Sequence, residues 1–260
     1  MRATLGGSEI EYDVQGDGPT VLLLHAFPLG RFMWDAEAEA FSRRHRIVRF
    51  DARGFGGTPP GDGPLTMDRI ADDGAALLGL LGIEKAVVAG CSMGGYAAFA
   101  FAHRHPERLD GLVLQDTRAG ADTDDARAYR ASLATKVLEE GAGAAVDAFL
   151  PRLVGETTRR DNPTLVSRLR ERILATSPRG IAQALAGLGA RPDSRDTLAT
   201  IRVPTLIVVG EEDVLTPPAE AEAMAEAIAG SRLEVIPSAG HLSNLENPEA
   251  FAGALGRFLS

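Results

Sequence analysis

Residues 85–95 read Lys-Ala-Val-Val-Ala-Gly-Cys-Ser-Met-Gly-Gly, and Ser92 is the side chain best placed to attack a carbonyl carbon. An apolar run, Ala86 to Ala89, ends in Gly90-Cys91-Ser92-Met93-Gly94, and the Ala- and Phe-rich stretch Tyr96–Ala102 follows with helical character. A serine on such a strand-to-helix turn holds its hydroxyl clear of the backbone. Glycines flank it because side chains there would strike the neighbouring strand and helix. The helix that begins after the serine points its N-terminus at it, which favours negative charge developing nearby. The G-x-S-x-G pentapeptide says little alone, since glycine is common in this chain. Its place between a β-branched run and a helix-forming run makes it specific.

A serine nucleophile needs a base to take its proton, and the base needs an acid to hold and polarise it. Thr205–Gly210 reads as a buried parallel strand that empties into Glu211-Glu212-Asp213, and Leu233–Ile236 runs out into Ser238-Ala239-Gly240-His241. Both candidates lie just past the carboxyl end of a strand, where open parallel sheets place their ligands. Ser92, Asp213 and His241 are therefore the expected catalytic residues. Two carboxylates compete with Asp213 for the acid role: the adjacent Glu212, and Asp116, which also ends a strand, Leu112–Gln115. Cys91 reads as a small packing residue, Trp34 as core, and Arg53 as a brace for the turn Asp51–Gly57. His241 has no second His or Cys close in sequence, so neither a metal nor an organic cofactor is expected.

The elements that must position these residues follow a regular rhythm. Strands are expected near 2–6, 8–14, 20–24, 46–50, 85–89, 111–114, 205–210 and 233–236, the first two as a hairpin. Helices are expected near 35–43 and from Thr66, a good N-cap, to about Leu81. Alternation at this spacing means a mostly parallel sheet with helices on both faces. Residues 118–196 break the rhythm. There Ala126–Glu139, Ala144–Leu153, Thr164–Thr176 and Ile181–Leu188 read as amphipathic helices, separated by Gly141-Ala142-Gly143, Asn162-Pro163 and Ser177-Pro178.

Five segments in register carry a resemblance that covers essentially the whole chain. They are Leu23–Pro28, Asp51–Gly56, Gly90–Gly95, Gly210–Asp213 and Gly240–Pro248. Together they resemble the α/β-hydrolase superfamily, and within it the serine esterase and 3-oxoadipate enol-lactonase branch. The resemblance implies an α/β-hydrolase fold with an eight-stranded sheet, a core of residues 1–117 and 197–260, and a helical cap over 118–196. It also implies a serine hydrolase of small carboxylic esters or lactones, working through an acyl-enzyme on Ser92. The oxyanion hole would be made by the backbone N–H groups of Met93, after the nucleophile, and of Phe27, in the loop after Leu24. His25 would orient that loop. Two other activities suit the same residues: perhydrolysis, with peroxide replacing water in deacylation, or ligand reception without turnover.

Composition narrows the setting. Cys91 is the single cysteine of 260 residues, so no intrachain disulfide can form, which points to a reducing cytoplasm. No secretory leader opens the chain, and no apolar run approaches the about 20 residues needed to span a bilayer. A net charge of -9 argues against nucleic acid and anionic membranes as partners. Residues 118–196 nevertheless hold 13 Arg+Lys against 11 Asp+Glu. A positive lid over an acidic core would favour anionic substrates such as a carboxylated lactone, although solvated helix faces account for the same arginines. The sequence leaves the oligomeric state open.

Overall fold

Apolar runs that lack polar alternation need cover on both faces, and this chain supplies it. The computed structural model describes residues 1–260. Its strands are β1 (Arg2–Leu5), β2 (Ser8–Gln15), β3 (Thr20–Leu24), β4 (Arg46–Phe50), β5 (Ala86–Cys91), β6 (Leu109–Gln115), β7 (Thr205–Gly210) and β8 (Arg232–Ile236). They form one sheet in the order β1-β2-β4-β3-β5-β6-β7-β8. The β1–β2 and β2–β4 pairs are antiparallel and every other pair is parallel. β3 and β7, each flanked by strands on both sides, are buried at every residue, whereas the edge strand β8 is mostly not. The β1–β2 hairpin turns at Gly6 and Gly7, both with positive φ, as a two-residue turn requires.

Twelve helices complete the chain: α1 (Asp35–Phe41), α2 (Met67–Leu80), α3 (Met93–Arg104), α4 (Asp124–Glu140), α5 (Gly143–Leu153), α6 (Glu156–Asp161), α7 (Pro163–Leu174), α8 (Pro178–Gly189), α9 (Arg195–Leu198), α10 (Pro218–Ala227), α11 (Ser243–Glu246) and α12 (Pro248–Leu259). α1 packs on α12, and α2 on α3, as separate layers against the sheet. Thr66 caps α2 as expected, accepting from Arg69 N.

Six helices, α4 to α9, lie between β6 and β7. Four match the expected segments, and three of these four open on a side-chain cap. Thr123, Asn162 and Ser177 accept hydrogen bonds from the first turns of α4, α7 and α8, and proline opens the last two. The short α6 and α9 were not expected; a single turn or two gives no usable periodicity. The inserted helices share the sheet's core: Val137, Ala145, Leu169, Ile173, Ile181 and Leu185 belong to the same buried apolar cluster as Leu22 and Val88.

Candidate active site

Ser92 sits between β5 and α3 with φ 53° and ψ −111°, a conformation L-residues avoid at a cost of about 1–3 kcal/mol. The strain is held by hydrogen bonds at both ends of the residue. Its N–H donates to Gln115 O at 2.9 Å, and its carbonyl accepts from Thr117 Oγ1 at 3.0 Å. A Cβ at Gly90 would collide with the Gly94 carbonyl, and one at Gly94 with Leu24 O. Both glycines are thus required by close approach of backbone to backbone.

The loops after β7 and β8 bring the other two residues in. His241 Nε2 lies 2.7 Å from Ser92 Oγ, and His241 Nδ1 lies 2.8 Å from Asp213 Oδ2. Both side chains are buried. With the neutral ring protonated on Nδ1, Ser92 donates to Nε2 and the ring donates to Asp213. Asp213 is held in turn by the N–H groups of Leu215 (2.8 Å) and Thr216 (3.0 Å) and by the Thr216 hydroxyl (2.6 Å). Burial works to raise its pKa, but the charge and N–H of His241 together with the Thr216 hydrogen bonds leave it below the usual carboxylate value. For His241, burial works to lower the pKa, and the Asp213 carboxylate outweighs it and leaves it raised. Thr216 is a member of this constellation that the sequence reading missed; its place three residues after Asp213 was the available signal.

The two competing carboxylates do other work. Glu212 turns away from His241 and accepts from Thr157 N (2.9 Å) and Thr157 Oγ1 (2.5 Å), so it clasps α6 to the end of β7. Asp116, at φ 44° and fully buried, accepts from Gly210 N (2.8 Å), Ser243 N (3.0 Å), Ser243 Oγ (2.7 Å) and Gln115 Nε2 (3.0 Å). It therefore ties the strand end before Asp213 to the loop after His241. Burial, then the nearby Asp213 charge, pushes its pKa up to about 6. Cys91 is buried and its thiol is pushed well up, chiefly by burial, which suits packing and not reactivity.

The Phe27 and Met93 amides, expected as oxyanion donors, give hydrogen bonds to no other group of the protein. Both residues are buried, and buried N–H groups without a partner are rare. His25 does orient the Phe27 loop: its Nδ1 donates to Ala26 O (3.0 Å) and its Nε2 accepts from Ala52 N (3.0 Å). That pairing needs a neutral ring, and burial keeps the His25 pKa below its ordinary value. The turn at Asp51–Gly57 is braced by Asp51, which accepts from Arg31 N and Gly57 N. Arg53, expected as that brace, instead reaches Asp73 (2.7 Å), Ser8 Oγ (2.6 Å) and Leu5 O (3.1 Å), pinning the hairpin to α2.

A family model described as alpha/beta hydrolase fold matches residues 19–248. The chain belongs to that family. Among relatives of this alpha/beta hydrolase, 3-oxoadipate enol-lactonase 2 of Acinetobacter baylyi is 30% identical over 241 residues, covering 93% of this chain and 88% of the relative. A thermophilic esterase from Thermogutta terrifontis superposes with a TM-score of 0.96 at 42% identity, over 100% of this chain and 97% of the other. The enol-lactonase of Burkholderia xenovorans LB400 superposes with a TM-score of 0.93 at 30% identity, over 100% and 99%. No helix of the hydrolase is long and apolar enough to cross a membrane.

Ser92 and His241 open into a cavity of about 240 Å³. Nine of its fifteen lining residues lie between Arg118 and Leu188, so the segment inserted between β6 and β7 forms most of the walls around the hydroxyl. Phe27 and Phe149 meet edge to face across it, ring centroids 5.1 Å apart. The hydrolase anchors these helices at several points: Gly155 N donates to Glu246 (2.7 Å), Gln183 Nε2 to Gly61 O (2.8 Å), and the Arg172 guanidinium lies 4.7 Å from the Phe32 ring centroid.

Proposed function

We propose that this protein hydrolyses small carboxylic esters or lactones through an acyl-enzyme formed on Ser92. The observation that carries the reading is the hydrogen-bonded chain Ser92 Oγ–His241–Asp213 set beside two buried amides that lack partners. His241 takes the Ser92 proton as the hydroxyl attacks the carbonyl, and Asp213 fixes the ring tautomer and stabilises the imidazolium. The Phe27 and Met93 N–H groups receive the developing oxyanion; as backbone donors they need no reorganisation at that moment. His241 then protonates the leaving alkoxide, and water activated by the same ring cleaves the acyl-enzyme. The esterase and enol-lactonase names of its relatives support an ester or lactone as the substrate.

Residues 118–196 act as a cap in this reading, over a core of 1–117 and 197–260. Walls supplied mainly by this inserted segment support it: such a lid excludes water and decides what fits. A single buried cysteine suits a cytoplasmic setting. The test is steady-state hydrolysis of p-nitrophenyl esters from acetate to octanoate by the wild type and Ser92→Ala. Loss of roughly 10⁴–10⁶-fold in kcat is expected, and the chain-length optimum sizes the cavity. Equal turnover by both proteins would overturn the proposal.

A further inference from the structure

Ser92 caps the start of α3, and one face of that helix leads away from it. Tyr96 stands one turn further on, its N–H donating to Ser92 O at 3.0 Å. Phe99, Ala100 and His103 follow Tyr96 at spacings of three, four and seven residues, so the four side chains share one stripe. Two cavities lie along this stripe. The first, of about 240 Å³, holds Ser92 and His241. The second, of about 190 Å³, has Phe99, Ala100 and His103 on one side, and the start of α2 and the connection from α8 to α9 on the other. His103, at its far end, is exposed.

Tyr96 is the one residue that lines both cavities. Its side chain is buried, and the Arg191 guanidinium lies over the ring, 4.2 Å from its centroid. Arg191 is itself fixed, because Asp122 (2.7 Å), Leu188 O (2.8 Å) and Gly120 O (3.0 Å) take its donors. A buried guanidinium that gave up these partners would be left with uncompensated charge, so ring and cation together make a firm wall. The space beside Ser92 thereby stays below the roughly 300–1,000 Å³ of a drug-sized ligand site. Beyond the ring, Phe99, Ala100 and Met67 offer an apolar surface that could take methylene groups.

We infer that Tyr96 sets the length of substrate this hydrolase accepts: its ring ends the cavity beside Ser92 and shuts the chain of a longer ester out of the second cavity. The inference rests on the ester-hydrolase reading above. A chain that reaches the ring must stop there, and its further methylenes stay in water. Without the ring the two cavities join along α3, and each methylene then taken up is worth about fourfold in kcat/KM.

Chain-length ratios test it, because a general loss of activity cancels in them. The acyl side is read with 4-nitrophenyl butanoate and decanoate, and the alcohol side with ethyl and octyl acetate, all below their solubility limits. The enzymes are the wild type, Tyr96→Phe, Tyr96→Ala, and Tyr96→Ala combined with Ala100→Phe. The wild type is expected to favour the short member of at least one pair. In Tyr96→Ala the long-to-short ratio of kcat/KM for that pair should rise about tenfold or more, chiefly through KM. Tyr96→Phe keeps the ring and should keep the wild-type ratio. Ala100→Phe places a ring in the second cavity one turn further along α3, and the double variant should lose most of the gain. A tyrosine that only supports the fold would lower Tm without moving the ratio. Should Tyr96→Ala not fold, Tyr96→Leu gives the same reading, since leucine stays apolar but lacks the reach of the ring. Overturning results are an unchanged ratio in the truncated variant, an equal rise in Tyr96→Phe, or a gain that the double variant keeps. A wild type that favours the long member of both pairs overturns it as well. If the wild type turns over no ester faster than Ser92→Ala, the hydrolase reading fails by itself. Calorimetric titration with butanoate and decanoate then reads the cavity without turnover. A decanoate-to-butanoate affinity ratio raised about tenfold in Tyr96→Ala would support the limit, and an unchanged ratio would overturn it.

Discussion

At the carboxyl ends of β5, β7 and β8 the proposed reactive atoms are positioned by backbone. Ser92 is held through its own N–H and carbonyl, Asp213 through the amides of Leu215 and Thr216, and the proposed oxyanion donors are amides themselves. Across the cavity, the walls supplied by residues 118–196 are made of side chains: Phe149, Tyr129, three arginines and one aspartate among them. Backbone donors are fixed by the strands and turns and tolerate little change. Side chains on helices can be exchanged without moving the helix. The chemistry end is thus fixed by the sheet, and the substrate end is free to vary on a common scaffold.

Adjacent residues put that contrast to its sharpest test, because Asp213 faces the chemistry and Glu212 faces the inserted helices. Asp213→Asn should lower kcat by about 10⁴-fold while Tm changes little, since removing the carboxylate leaves the wrong imidazole tautomer in place. A pH profile separates this from a folding defect. Wild-type kcat/KM should fall on the acid side as pH drops through the raised pKa of His241, because the imidazolium cannot accept the serine proton. In Asp213→Asn that limb should move to lower pH, the carboxylate that raises the pKa being gone. An unmoved limb would mean that His241 does not govern it.

A medium-sized effect should come from Glu37, under the His241 loop, where its carboxyl accepts a long hydrogen bond from Asn244 Nδ2. Burial lifts its pKa from 4.5 to about 7. The folded state therefore binds a proton that the unfolded state releases, and stability falls as pH rises from about 4.5 to about 7. The loss reaches about 3 kcal/mol above that window. Glu37→Gln should escape it, so the Tm advantage of the variant over wild type should grow between pH 5 and pH 8. A constant difference would refute the assignment. This defect belongs to the floor beneath the sheet ends and should leave substrate preference alone.

Glu212→Gln is the smallest change. It weakens the clasp on Thr157 by about 1 kcal/mol, a loss expected in Tm and in KM. kcat should be retained within a fewfold. A collapse of kcat comparable with that of Asp213→Asn would erase the distinction between the two halves.

Most of the chemistry end was legible because it is local in sequence. The G-x-S-x-G turn, the strand ends before Asp213 and His241, and the unpaired Met93 amide each follow from a few consecutive residues. Glu212, Asp116 and Arg53 were visible as charged residues, but their partners lie 55, 94 and 20 residues away. Periodicity carries no information about such pairings. The helices α6 and α9 escaped for a related reason: their six and four residues are too few to establish a pattern.

The sequence by itself determined the mostly parallel sheet and the strand-end positions of Ser92, Asp213 and His241, the proposed nucleophile and its partners, because apolar runs, turn glycines and strand-end polar residues are read within one element. Only the tertiary structure decided which of three carboxylates meets His241 and which arginines share Asp122. Those outcomes depend on how separate loops and helices pack against one another, and burial then fixes the charge each group can keep.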